Sequence, residues 1–146
     1  MKVDEVVLAE YKRTRASNPS YPAKWALRYA RDYAEAIRQE NRDDISIELR
    51  IEPDDKPMMG NLIASGDEAV DRSYISKARE RLDYGDWWAW GVVEVRVTKT
   101  CDKCGVEHLV GQSFLGGCSF EGEEDFKRSG YYTNMIREAL NEAEEE

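Results

Sequence analysis

Hydrophobic and polar positions change period several times along the chain, and each change marks an element. Val3, Val6, Val7 and Tyr11 recur at spacings of three and four, which predicts a short amphipathic helix over Val3–Arg15. The turn cluster Ala16-Ser17-Asn18-Pro19-Ser20 should end it. A second, stronger helix is predicted over Pro22–Glu40, with proline in the first turn, where its missing N–H costs nothing. Trp25, Tyr29, Tyr33 and Ile37 form its apolar stripe, and Ala26, Ala30 and Ala34 a small-residue groove beside it. An aromatic stripe at this spacing is read as core.

The period then drops to two. Ile45, Ile47, Leu49 and Ile51 alternate with Ser46, Glu48 and Arg50, as in a half-buried strand. Pro53-Asp54-Asp55-Lys56-Pro57 stops that strand. Asp67 is a candidate N-cap for a helix running to Leu82, buried through Val70, Tyr74, Ala78 and Ile75. After Tyr84-Gly85-Asp86 comes a long β-hairpin, Asp86 to Phe120. It holds three of the four tryptophans, all three cysteines and the single histidine. With the turn between Cys101 and Cys104, Val93, Val95 and Val97 share the core face with Val106, Val110 and Phe114, and His108 falls opposite Val97 on that same face. Trp88, Trp90, Val92, Leu109 and Leu115 take the other face. A one-residue slip would exchange the faces.

Phe120–Ser129 opens as a helix with an acidic first turn, Glu121, Glu123, Glu124 and Asp125, and Gly130 breaks it. Tyr131–Glu142 resumes as a helix with Tyr132, Met135, Ile136, Ala139 and Leu140 inward. An acidic frayed tail is expected over 141–146. The order predicts an α+β fold: a three-stranded antiparallel sheet containing the long hairpin, packed by about four helices in a single domain over 1–146.

Composition narrows the functions such a fold could serve. Thirty acidic residues against 21 basic ones give a formal net charge of −9. That balance opposes nonspecific nucleic-acid binding, which rests on cationic phosphate contacts. It suits solubility or a basic protein partner. No apolar run is long enough for a membrane span. Acids interrupt the N-terminal MKVDEVVLAEYKR where a signal core would lie, so a cytoplasmic protein is expected. An odd cysteine count with one Cys-x-x-Cys fits a reducing compartment.

Cys101-Asp102-Lys103-Cys104-Gly105 has the local form of a zinc knuckle. Free thiols or a local disulfide are the alternative. His108 is the nearest further donor, but lies roughly 13 Å beyond Cys104 along a regular strand. It ligates only if the loop is longer than two residues; a zinc shared across a dimer, or with a partner, would also supply missing ligands. Cys118 is a poor third ligand at roughly 45 Å along the strand, and with no base near it reads as a small buried thiol. No set of side chains has the spacing of a catalytic centre, so an enzyme is not expected. A small-ligand binder would need Trp88–Trp90 and Trp25–Tyr29 as pocket walls.

At Trp88-Ala89-Trp90, at Leu115-Gly116-Gly117-Cys118-Ser119-Phe120, and at Asp125-Phe126 followed by Gly130-Tyr131-Tyr132 and Met135, the chain resembles a family of small proteins encoded by bacteriophages, prophages and related mobile elements. Gly60-Asn61, Ala64-Ser65-Gly66-Asp67 and Asp71 extend the likeness, which covers about Gly60 to Ala143. It implies a genomic setting rather than a reaction. In that setting a small acidic protein is expected to bind a host macromolecule, as an inhibitor of a defence system of anti-CRISPR or anti-restriction type. Glu121, Glu123, Glu124, Asp125, Glu142 and Glu144 are the partner-binding candidates. The alternative is a zinc-knuckle module for nucleic acid or protein, with Cys101, Cys104 and His108 on the metal.

Overall fold

The fold was analysed in a computed structural model, which describes residues 3–144. Five α-helices and three strands follow the predicted order: α1 Val3–Ser17, α2 Ala23–Glu40, β1 Ser46–Pro53, α3 Glu68–Asp83, β2 Gly91–Thr100, β3 Glu107–Cys118, α4 Glu123–Lys127 and α5 Tyr131–Glu144. A single 3-10 turn at Trp87–Ala89 leads into β2. The strands make one antiparallel sheet in the order β1-β2-β3, so the fold is α+β. Helix α5 carries the 141–144 stretch expected to fray, and Glu145 and Glu146 lie outside the described residues.

The chain divides into two compact units. The first is Met1–Glu48, Val95–Ser113 and Glu124–Glu146, and the second is Leu49–Glu94 and Phe114–Glu123.

In the first unit, α2 packs on α1 and on α5. Its buried positions are Ala26, Ala30, Ala34, Ala36 and Gln39, whereas Trp25 is 41% exposed and Tyr29, Tyr33 and Ile37 are half-buried. The expected aromatic core stripe is thus corrected: the alanine groove is the buried one. Small side chains let neighbouring helix backbones approach closely, and the bulky rings then fill the margins. Tyr33 has the Arg128 guanidinium over its ring at 5.1 Å. Arg128 in turn pairs with the buried Glu10 of α1 at 3.1 Å.

Helix α5 buries Tyr132, Met135, Ile136 and Ala139, as its spacing predicts, while Leu140, expected inward with them, is half-buried. The Tyr132 hydroxyl donates to Glu40, and the Thr133 hydroxyl to the Asp32 carbonyl of α2. Strand β3 meets α5 through Gly111. A Cβ there would stand 1.8 Å from the Ala139 carbonyl oxygen. Ser113 is also buried and donates to Glu138 at 2.6 Å. This overturns the expected β3 core face. Val93, Val95 and Val97 are buried as predicted, but Val106 is 52% and Phe114 59% exposed, and His108, expected on that face, is exposed too. The helix comes too near for large residues to face it, so the odd, small positions of β3 turn inward.

In the second unit, Asp67 caps α3, accepting from the Ala69 and Val70 N–H groups. The buried stripe is Asp71, Ile75 and Ala78, while Val70 and Tyr74 are exposed. The shift by one position follows from Asp71, whose carboxylate accepts from the Ser65 N–H and hydroxyl and ties the preceding loop to the helix. Trp90 is buried, and its indole N–H donates to the Lys56 carbonyl at 2.8 Å. The Asp54 carboxylate accepts from the Gly117 N–H at 2.7 Å.

Helix α4 is shorter than the predicted Phe120–Ser129 segment. Gly130, at φ +90°, sits against Tyr29 and Asp32 and separates α4 from α5.

Candidate metal centre

Strand β2 ends at Thr100 and β3 begins at Glu107, so the hairpin loop is residues 101–106. The Cys101 N–H donates to the Val106 carbonyl at 2.9 Å, and the Gly105 N–H to the Cys101 carbonyl at 2.9 Å. The hairpin therefore closes on Cys101 and Val106, not on Cys101 and Cys104. Gly105 makes this path, because its φ of +70° is strained for any residue with a side chain. The chain reverses there and carries β3 back beside the start of the loop. His108 follows Val106 by two residues and projects from the same side of the chain.

The outcome is a cluster that the extended-strand distance argued against. One donor atom each from Cys101, Cys104 and His108 all lie within 4.8 Å of one another. Cys101 is half-buried, and Cys104 and His108 are exposed. The Cys101 thiol is held below its ordinary range. The first cause is a hydrogen bond from the Cys104 thiol, followed by the backbone N–H groups of Cys104 and Lys103. Donors aimed at sulfur favour its thiolate, the form that binds metal. Sequence reasoning missed these two N–H groups. Two thiolates and an imidazole are the donor set of a tetrahedral zinc site with three protein ligands.

The charge around the cluster is balanced. Lys99 and Lys103 are exposed beside the equally exposed Asp102 and Glu107. Val106 and Leu109 are exposed apolar residues on either side of His108. Cys118 belongs to the second unit and is buried there, donating to the Leu115 carbonyl at 3.3 Å. Burial pushes its thiol up to about 11. It is the small buried thiol that the sequence implied.

The acidic candidates are exposed at Glu121, Glu123, Glu124, Asp125 and Glu142, and the side chain of Glu144 lies outside the described residues. Glu121 and Glu123 fall in the second unit, and Glu124, Asp125 and Glu142 in the first. Glu124 lies 3.8 Å from Arg128, and Glu142 accepts from the Gln112 N–H at 3.4 Å. Of the aromatics considered as pocket walls, Trp90 is spent on structure. Trp25 and Tyr29 line a cavity of about 250 Å³ with Arg28, Asp32 and Tyr131. No helix among the described residues is long and apolar enough to cross a membrane. No family model, no curated protein and no solved structure matches this chain.

Proposed function

We propose that this chain is a non-enzymatic binding module that carries zinc at the tip of its β2–β3 hairpin and engages a protein partner through that tip. The convergence of Cys101, Cys104 and His108 within 4.8 Å carries the reading. A bound ion would fix the six-residue loop in one conformation. It would also present the exposed Val106 and Leu109 on a rigid edge. Apolar residues flanking a rigid tip suit a protein surface. Nucleic acid fits less well, because the lysines at the tip are matched by acids and the whole chain is at −9.

A second reading is supported by the exposure of Glu121, Glu123, Glu124, Asp125 and Glu142. In it, an acidic phage-type protein blocks the basic channel of a host nucleic-acid-handling protein, steered by charge. One experiment separates the two. Tagged wild type, His108→Ala and the pair Glu123→Lys with Glu124→Lys are used to capture partners from a bacterial lysate at low and high salt. The zinc-tip reading predicts a partner lost with His108→Ala and little affected by salt. Elution by salt together with loss in the charge-reversed variant, and retention by His108→Ala, would replace it with the acidic reading.

A further inference from the structure

We infer that the metal at the hairpin tip takes its fourth ligand from outside the chain, and that this ligand is a thiolate. The inference rests on the zinc reading above. A closed structural zinc site has four protein donors, whereas among the described residues no fourth Cys, His, Asp or Glu joins Cys101, Cys104 and His108. Asp102 and Glu107 flank the ligands in sequence, yet neither carboxylate enters the group.

A second copy of the chain is poorly equipped to complete the set. The sequence holds three cysteines and one histidine. Two of those cysteines and the histidine are already in the cluster, and Cys118 is 3% exposed. A folded copy has no free soft donor to lend.

A thiolate continues the soft donor set already present. Zinc with two thiolates and a neutral imidazole carries no net charge, and one more thiolate gives the Cys3His combination of closed structural sites. On binding, the incoming thiol releases its proton to solvent, and its sulfur replaces a water on the metal. The donor is either a low-molecular-weight thiol or a cysteine side chain of another protein. Val106, exposed on the same side of the chain as His108, favours a cysteine set among apolar residues.

Cobalt(II) is the probe, because its absorption reports sulfur ligation directly. The full chain is loaded with Co²⁺ and titrated with N-acetylcysteine, with a heptapeptide holding one cysteine among leucines, with the Cys→Ser version of that peptide, and with acetate. The sulfur-to-cobalt absorbance should rise roughly 1.5-fold as two thiolates become three. Half-saturation should come below about 1 mM, and at lower concentration for the peptide than for N-acetylcysteine. Cys118→Ala should respond as wild type does. Bound cobalt whose spectrum ignores both thiols, or answers equally to acetate, overturns the inference and leaves the metal reading standing. Loss of the response in Cys118→Ala overturns it too. Failure to bind cobalt at all removes the metal reading itself. Equal half-saturation by N-acetylcysteine and the peptide would assign the site to small thiols.

Discussion

At the scale of single residues, two thiols of one chain are driven in opposite directions. Cys101 accepts hydrogen bonds from Cys104 and from two backbone N–H groups, which favours its thiolate. Cys118 is enclosed, and desolvation pushes it to about 11. The folded state therefore holds a proton on Cys118 that the unfolded chain loses above about 8.5. A group whose folded pKa is raised contributes stability below its unfolded pKa and loses it as the pH climbs toward the folded value. Wild type should accordingly lose stability relative to Cys118→Ala as the pH rises from about 8.5, with the trend levelling off near 11. Urea denaturation across that range measures the difference, and a pH-independent gap between the two proteins would contradict it. The burial of Cys118 was legible in the sequence, because a lone cysteine with no base has little else to do. The support given to Cys101 was not, because it depends on the backbone path that Gly105 sets.

At the scale of elements, the periods were legible and the faces only in part. Helix α2 carries two stripes side by side, one aromatic and one of alanines. A hydrophobicity argument ranks the aromatic stripe first, but close approach of backbones selects the alanines. Strand β3 repeats the lesson, with Gly111 and Ser113 inward and Phe114 outward. In α3 the buried stripe begins at Asp71, a residue type that pattern reading assigns to solvent. The Asp67 cap followed from local chemistry, which is why it was found, whereas the ends of α4 and of the hairpin loop were displaced. Helix α5 was also placed correctly, because its large residues form one unambiguous stripe. These contrasts give a direct test. Ala30→Leu should cost about 1–3 kcal/mol by overpacking, and Trp25→Ala less than about 1 kcal/mol. Gly111→Ala should cost about 3 kcal/mol or more, since its Cβ would meet backbone that cannot swing aside. Denaturant midpoints rank the three, and a greater loss for Trp25→Ala than for Ala30→Leu would restore the aromatic core.

At the scale of the whole molecule, most buried side chains lie away from the hairpin tip. A bound zinc would thus add stability to a fold that does not depend on it, unlike a small finger domain that unfolds without metal. Chelation should leave the helical circular dichroism unchanged. It should raise hydrogen exchange over residues 98–109 and lower Tm by roughly 2–4 °C for each kcal/mol of binding lost. Global unfolding on chelation would show that the metal sits in the core, contrary to the exposure of Cys104 and His108. The net charge of −9 bears on solubility and association, and it leaves the partner's identity to the two readings above. The metal site decides between them most directly. The measurement is zinc content per folded chain after competition with a chromophoric chelator, for wild type, Cys101→Ser, Cys104→Ser and His108→Ala. One zinc retained by wild type and lost by each variant is the predicted result. No zinc retained by wild type, or equal retention in all four, would contradict the account.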